Sequence, residues 1–234
     1  MTSSIAVIPA RGGSKGIPRK NLAPLAGRPL LAHTVDAAKQ YGRFDHIIVS
    51  TEDEEIAALA SSLGIEVDHR PPQLATDLAK AVDVVRALLE ARAVPEDGSV
   101  ALLPPTSPLR TGLDIQRALE LLKGTAGATS VVSVTEYEFP PTFALARDGE
   151  FVRPAFPEQY ASGKSQRGEA PALLRPNGAI YAASVLEFRR AGSFLTARTV
   201  GYSMPPERSI DVDRPFDLLL ADLLLSRRAA TERG

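Results

Sequence analysis

Ser4-Ile5-Ala6-Val7-Ile8-Pro9-Ala10-Arg11-Gly12-Gly13-Ser14-Lys15-Gly16 is the stretch on which the reading of the fold turns. Ser4 to Pro9, with β-branched Ile5, Val7 and Ile8, reads as a short apolar strand. It runs without a break into a glycine-rich loop. Further along, Pro29 opens a helical pattern in which Leu30, Leu31, Thr34, Val35 and Ala38 recur at helical spacing. His46 to Thr51 is a second apolar strand, and Ile56, Leu59, Ala60 and Leu63 then share one helical face that stops at Gly64. A short third strand is expected near Ile65 to Asp68, a helix from about Ala79 to Ala93 and a buried strand from Ser99 to Leu103. Thr111 and Asp114 have capping-box spacing for a helix carrying Ile115, Ala118, Leu119 and Leu122.

Alternation of this kind predicts right-handed βαβ units and a three-layer α/β fold with a mostly parallel sheet. The second half changes character. Ser130 to Thr135 reads as a strand, but Phe139 to Arg175 is rich in Pro, Gly and charge, with weak two-residue periodicity from Phe143 to Val152. So long a segment without regular structure is unusual inside a domain. The expectation is one domain over residues 1–234 with a projecting arm or hairpin at 139–175. A strand at Ala179 to Ala183, a helix at Val185 to Arg190, a strand at Thr199 to Ser203 and a terminal helix from Pro215 to Ser226 complete the reading.

Ligands of open parallel sheets bind beyond the carboxyl ends of the strands. Three segments there carry chemistry. In Arg11-Gly12-Gly13-Ser14-Lys15-Gly16-Ile17-Pro18-Arg19-Lys20-Asn21, glycines allow backbone N–H groups to approach an anion, and Arg11, Lys15 and Lys20 supply charge for phosphate oxygens. The segment matches neither the P-loop nor the G-x-G-x-x-G pattern, and a solvated turn with surface cations is the plainer alternative. Pro104-Pro105-Thr106-Ser107-Pro108-Leu109-Arg110 is stiffened by its prolines and would present Thr106, Ser107 and Arg110, or simply connect strand to helix. In Ser209-Ile210-Asp211-Val212-Asp213, an extended backbone would put both aspartates on one side. Adjacent carboxylates repel unless a cation joins them, which fits Mg2+ or Mn2+; Asp213 could equally cap the helix at Pro215.

Charge sharpens this picture. The chain has 234 residues, 27 Lys+Arg, 28 Asp+Glu and no cysteine. Five of the cations, and none of the acids, fall between Met1 and Val35, leaving 22 cations against 28 acids in the remainder. Near-neutrality argues against a nucleic-acid binder, while the local block argues for one compact anion. Without cysteine there is no disulfide framework, thiol nucleophile or thiolate metal site. Leu218 to Leu225 is too short to span a membrane and is interrupted by Asp222, and no signal-like segment opens the chain, so a soluble cytoplasmic protein is expected. His33, His46 and His69 lack metal-ligand spacing. A phosphate cradle at one strand end and a diacid at another point to metal-assisted attack on a nucleoside triphosphate.

Taken in order, Ile8-Pro9-Ala10-Arg11-Gly12-Gly13-Ser14-Lys15-Gly16-Ile17 with Lys20-Asn21, Ile48-Val49-Ser50-Thr51, Arg70-Pro71, Pro105-Thr106-Ser107-Pro108-Leu109-Arg110, Arg175-Pro176-Asn177-Gly178-Ala179-Ile180-Tyr181 and Ser209-Ile210-Asp211-Val212-Asp213 resemble the CMP-sialic acid synthetases, the acylneuraminate cytidylyltransferases. The resemblance covers nearly the whole chain and implies a Rossmann-like nucleotidyltransferase fold. It implies joining of CTP to the anomeric hydroxyl of a nonulosonic acid with Mg2+ and release of pyrophosphate. By position, Arg11, Lys15, Lys20 and Asn21, with Gly12, Gly13 and Ser14, would hold the triphosphate, and Arg70 with the Ala10 backbone would lie against the cytosine. Asp211 and Asp213 would carry the metal, Arg167 would grip the sugar carboxylate, and Thr106 and Tyr181 would line the sugar pocket. The resemblance also implies a homodimer in which the arm is exchanged and Phe194 reaches the neighbour's sugar.

Departures from that pattern fall on the sugar side: Pro104 in place of a usual Gln, Ala81 in place of a hydroxylated residue, atypical Leu78 and Lys80, and Gly168-Glu169-Ala170-Pro171 after Arg167. They predict an acidic acceptor other than ordinary N-acetylneuraminic acid. The alternatives are an octulosonic acid or phosphonate acceptor, an inactive nucleotide-binding regulator, or a dimeric scaffold.

Overall fold

Strand β1 (Ser4–Pro9) sends Ala6 and Ile8 into one buried cluster and Ile5 and Val7 into another. A strand buried on both faces needs helices above and below it. The computed structural model describes residues 3–76, 80–161 and 173–231 and supplies them. Two short strands, β2 (Pro24–Leu25) and β3 (Arg28–Pro29), form a small antiparallel pair before α1 (Leu30–Tyr41). Next come β4 (His46–Thr51), α2 (Glu54–Ser62), β5 (Glu66–His69), α3 (Ala81–Ala91), β6 (Ser99–Leu102), α4 (Gly112–Gly124) and β7 (Ser130–Glu136). After β8 (Leu145–Asp148), β9 (Phe151–Pro154) and α5 (Pro157–Ala161), the chain returns through β10 (Leu174–Ser184), α6 (Val185–Ala191), β11 (Thr199–Ser203) and α7 (Pro215–Thr231).

The main sheet has the order β11-β7-β10-β6-β1-β4-β5. Strand β1 pairs in parallel with β4 and β6, β4 with β5, and β11 with β7, whereas β10 runs antiparallel to β6. On one face Leu31 and Val35 of α1, Ile56 of α2 and Ile115 of α4 pack against Ala6, Ile8 and Val49. On the other, Val85, Leu88 and Leu89 of α3 and Phe188 of α6 pack against Val7, Ile48 and Val100. The fold is therefore the three-layer, mostly parallel α/β arrangement that the alternation predicts. A third, smaller cluster joins Ile17, Leu25, Leu30, Leu109, Val212 and Ala221, with Leu218, Leu224 and Leu225 of α7 packed against it.

Chain contacts separate two units, Met1–Val134 with Pro176–Gly234, and Thr135–Arg175. Within the second, β8 and β9 form a hairpin in which Asp148 faces Phe151 across Gly149-Glu150, and Gly149 takes a φ of 60° that a two-residue hairpin turn requires of its first residue.

Local chemistry explains the helix boundaries. Asp53 caps α2 by accepting the N–H groups of Glu55 and Ile56, and Thr111 with Asp114 forms the expected capping box of α4. Pro29 precedes α1 as its cap residue rather than entering its first turn. Strand β10 begins at Leu174, five residues before the expected start at Ala179. The Ser209–Asp213 segment is not a strand: it follows a 3-10 turn at Pro206–Arg208, and Val212 N–H donates to the Thr106 carbonyl at 2.7 Å. Asp213 does not cap α7. Instead Asp217, in the first turn of α7, reaches back, and its Oδ2 accepts the N–H groups of Asp213 and Arg214.

Candidate active site

The parallel strands β1, β4, β5 and β6 point their carboxyl ends at one region. Because β10 is antiparallel, with Tyr181 opposite Leu102, its residues from Pro176 to Gly178 lie beyond the same end of β6. A cleft of about 270 Å³ opens there. One wall is the glycine loop and the turn after it, with Arg11, Gly13, Ser14, Lys20 and Asn21; others carry Arg70, apolar Leu74 and Val84, and Thr106. Pro104 and Ala81, two of the positions that depart from the family pattern, line it as well.

Close packing explains two of the loop's three glycines, Gly12 and Gly16. A Cβ on Gly12 would overlap the Asp53 carboxylate, with Cγ at 2.9 Å, and a Cβ on Gly16 would overlap the backbone carbonyl of Asp213. The Gly12 N–H is already taken, donating to Glu52 Oε1 at 2.8 Å, and the Ala10 N–H donates to the Ser50 carbonyl at 2.9 Å. Asn21 donates its side-chain amide to the Arg11 carbonyl at 2.8 Å and so braces the loop from inside. Gly13 meets nothing within 4 Å.

Three of the five cations in the opening block are held by acids. Arg19 pairs with Asp53 and, at 3.1 Å, with Glu55, and Arg28 pairs with Asp36. The Arg19 hydrogen bond holds the Asp53 carboxyl below the usual aspartate range. Lys20 Nζ donates to Asp213 Oδ1 at 2.8 Å and to the Val212 carbonyl at 2.9 Å. Arg11 and Lys20 line the cleft, whereas Lys15 is exposed outside it.

Asp211 accepts a hydrogen bond from the Thr106 hydroxyl. Its pKa is raised, first by desolvation and then by the charges of Asp213 and Asp217, which outweigh the opposing effects of Thr106 and Lys20. Gly178, at a φ of 80°, brings its backbone close enough that a Cβ would lie 3.6 Å from the Asp211 carboxyl and 3.3 Å from Ser107 Oγ. Asp211 and Asp213 could hold a hard divalent cation through carboxylate oxygens, Asp211 being short of positive charge; at Asp213 such an ion would share the carboxylate with the Lys20 ammonium. Among the described residues there is no cluster of three or more metal-ligating side chains, so phosphate oxygens and water would complete the coordination.

Behind these groups lies a buried polar lattice. Ser133 Oγ donates to Asn177 Oδ1 at 2.6 Å, Asn177 Nδ2 to Ser209 Oγ at 2.9 Å, and Ser209 Oγ to the Pro205 carbonyl at 2.9 Å. It fixes the start of β10 and the residues leading to Asp211. Arg110 is buried rather than presented. Its guanidinium donates to the carbonyls of Ala179 at 2.5 Å and Pro104 at 3.3 Å and to Thr34 Oγ1 at 2.7 Å, clamping the 104–110 loop. Burial lowers its pKa to about 9, which leaves it cationic at neutral pH.

Tyr181 is half-buried, and desolvation followed by the Asp211 charge raises its pKa. Phe194 does not face outward. It is 2% exposed, with its ring centroid 4.7 Å from that of Phe188 and 6.1 Å from that of Tyr181, so it supports Tyr181 within its own chain. Its neighbour Leu195 is the exposed apolar residue of that corner. Arg167, Leu78 and the 168–171 segment lie outside the described residues. No motif in the sequence points to Glu52 or Asp217, and Asp53 carries a signal only as an N-cap residue ahead of a helical pattern.

No helix among the described residues is long and apolar enough to cross a membrane. By structure, the chain is similar to a CMP:2-keto-3-deoxy-manno-octonic acid synthetase complexed with CTP (TM-score 0.69, 15% identity, covering 97% of this chain and 100% of that one). It is also similar to a 4-diphosphocytidyl-2C-methyl-D-erythritol synthase (TM-score 0.67, 16% identity, 96% and 100%). These likenesses concern the fold. By sequence, it is 37% identical to the N-acylneuraminate cytidylyltransferase of Streptococcus agalactiae serotype III over 92% of this chain and 51% of that one, so it spans about half the length of that relative. It is 37% identical to the CMP-N,N'-diacetyllegionaminic acid synthase of Legionella pneumophila over 94% of this chain and 95% of that one. Residues 5–156 match the family model described as cytidylyltransferase, and the chain belongs to the cytidylyltransferase family.

Proposed function

We propose that this protein joins CTP to the anomeric hydroxyl of an acidic, nonulosonic-type sugar, forming a CMP-sugar and pyrophosphate. The observation that carries the reading is the conjunction, at one strand edge, of a cleft lined by Arg11, Lys20, Asn21 and Arg70 with a carboxylate, Asp211, held by Thr106. Relatives named for CMP-sugar synthesis support it. Arg11 and Lys20, with Gly13 and Ser14, receive the triphosphate and stabilise the charge that develops on pyrophosphate. Lys15 and Gly12 stand beside this group in the loop, and Ala10 and Arg70 face the cytosine. Asp211 and Asp213 hold Mg2+ or Mn2+. When bound, that ion neutralises phosphate charge and lowers the pKa of the sugar hydroxyl. Thr106 fixes the Asp211 carboxylate, and Tyr181 shapes the sugar side with Phe194 behind it. Arg167 is assigned to the sugar carboxylate.

Pro104 and Ala81 lie in the cleft wall and offer no side-chain hydrogen bond. This favours an acceptor other than N-acetylneuraminic acid, and an octulosonic acid or phosphonate remains the alternative within the same chemistry. Retention of Asp211 and Asp213 weighs against an inactive regulator. The wider reading is a cytoplasmic homodimer with no nucleic-acid or membrane partner, associating through the arm at 139–175. Phe139 is 63% exposed, Phe151 79% and Val152 61%, an apolar surface that a partner copy would cover. Light scattering tests the dimer, and a strictly monomeric active enzyme would refute it. For the activity, CTP, Mg2+ and a panel of α-keto acid sugars are incubated with the protein and pyrophosphate is followed. Release with CTP and an acidic sugar is expected; turnover with UTP or GTP matching CTP would sink the cytosine assignment, and CTP binding without turnover would favour the regulator.

A further inference from the structure

Glu52 is placed to divide labour within the cleft. Its two oxygens face different elements: Oε1 accepts the Gly12 N–H at 2.8 Å, and Oε2 accepts Arg70 Nε at 3.1 Å and Nη2 at 2.9 Å. The Arg70 side chain is 4% exposed and that of Glu52 is 20% exposed, so the pair is largely screened from water. Arg70 is further tied through its backbone N–H to the Thr51 carbonyl at 3.1 Å. One carboxylate thus joins the glycine loop after β1 to the residue after β5.

Pairing changes what Arg70 can recognise. An unpaired guanidinium in a cleft attracts phosphate through its net charge. Once Glu52 cancels that charge at close range, Arg70 keeps its Nη1 donors but loses most of its pull on a polyanion, and it becomes a directional donor for an uncharged acceptor. It shares the cleft with apolar Leu74, Val84, Pro104 and Pro105, which suit a flat heterocycle, while Arg11 and Lys20 stand on another wall.

We propose that Glu52 is a positioning residue that reserves Arg70 for the base of the nucleotide and leaves the triphosphate to the glycine-loop cations. The proposal rests on the nucleotide reading given above. It assigns Glu52 a part in selecting a base-bearing ligand over a bare polyphosphate.

The test compares the affinity of the full chain for CTP and for inorganic tripolyphosphate by calorimetry, in wild type and in Glu52→Gln. The amide is isosteric but can offer only one acceptor oxygen, so it cannot serve Gly12 and Arg70 together. CTP affinity is expected to fall about 10-fold, the scale of one or two charge-assisted hydrogen bonds, while tripolyphosphate affinity holds or rises because a neutral amide no longer offsets the Arg70 charge. Thermal unfolding of the variant checks that it is folded, and Glu52→Asp provides a second variant that keeps the charge but not the reach. In the Arg70→Ala background, Glu52→Gln should change the CTP-to-tripolyphosphate ratio by less than 2-fold. Equal weakening of both ligands would mean a merely structural role and overturn the proposal, as would an unchanged ratio or a wild type that binds CTP no tighter than tripolyphosphate. Absence of pyrophosphate release from wild type would remove the activity reading, not this one.

Discussion

Replacing Gly16 by alanine isolates the part played by loop packing. The added Cβ would stand about 1 Å inside the closest approach that real Cβ atoms make, against the carbonyl oxygen of Asp213 and 3.2 Å from its carbonyl carbon. The obstacle is backbone, so no side chain can swing aside. Either the glycine loop or the Asp213 segment must retreat by that distance. Overpacking of this kind costs about 1–3 kcal/mol, and for a chain of this length each kcal/mol lowers Tm by about 2–4 °C, giving a fall of about 2–12 °C. The same displacement separates Lys20 from Asp213, and a misplacement of about 1 Å among reacting groups costs about 10²-fold in rate. Gly13→Ala is the matched control: nothing lies within 4 Å of its Cβ position and its φ is not positive, so its Tm should stay level or rise slightly as the unfolded chain loses freedom. Calorimetric melting of both variants, with pyrophosphate release for Gly16→Ala, tests the reasoning. A Gly16→Ala protein that melts and turns over like wild type would refute it.

Two aspartates should respond to neutralisation in opposite directions. The Asp211 pKa is raised, chiefly by desolvation, so ionisation costs folding free energy once pH rises past its unfolded value; without metal, Asp211→Asn should melt higher at pH 7, by a margin that shrinks on acidification, while kcat falls about 10²-fold or more. A lower Tm, or wild-type turnover, would contradict this. For Asp114, burial pushes the pKa up but hydrogen bonds from Thr111 and Arg208 outweigh it and bring it below the ordinary 3.8. Its stabilisation is therefore present above that value and lost as pH falls through the lower folded one; Asp114→Asn should melt lower than wild type at pH 7 and approach it in acid, and a constant difference across that range would exclude the ionic origin.

How much of this was legible in the sequence depended on how local each cause is. Strands β4 and β11 lie where the apolar runs placed them, because the pattern His46 to Thr51 or Thr199 to Ser203 contains its own reason. The capping box of α4 was equally visible. Strand β10 starts ahead of its apolar run: Arg175 and Pro176 are poor strand formers in isolation, and the seven-stranded sheet overrides that preference. The acids that hold two of the cations are hidden for a related reason. A run of cations announces itself, but Asp53 and Asp213, which hold Arg19 and Lys20, stand 34 and 193 residues away. Arg110 and Phe194 looked like presented groups and are buried, since a motif gives residue order and not the direction of a side chain. Glu52 carried no local signal at all, because both of its partners are brought to it only by the parallel pairing of β1, β4 and β5.

The smallest of the three apolar clusters has a kinetic consequence. Ile17 from the glycine loop, Leu109 from the proline-stiffened loop and Val212 from between the two aspartates all rest on Leu218, Ala221, Leu224 and Leu225 of α7. Because the parallel sheet has its own two clusters, detachment of α7 would leave both of them packed, and small units of this kind open at lower free energy than the core they sit on. Their amides would then exchange with solvent as one group, ahead of those of β1 and β6, and nucleotide would slow the whole group together. Cations and carboxylates of the site would appear and vanish in concert, making the terminal helix the clasp on which an assembled active site depends.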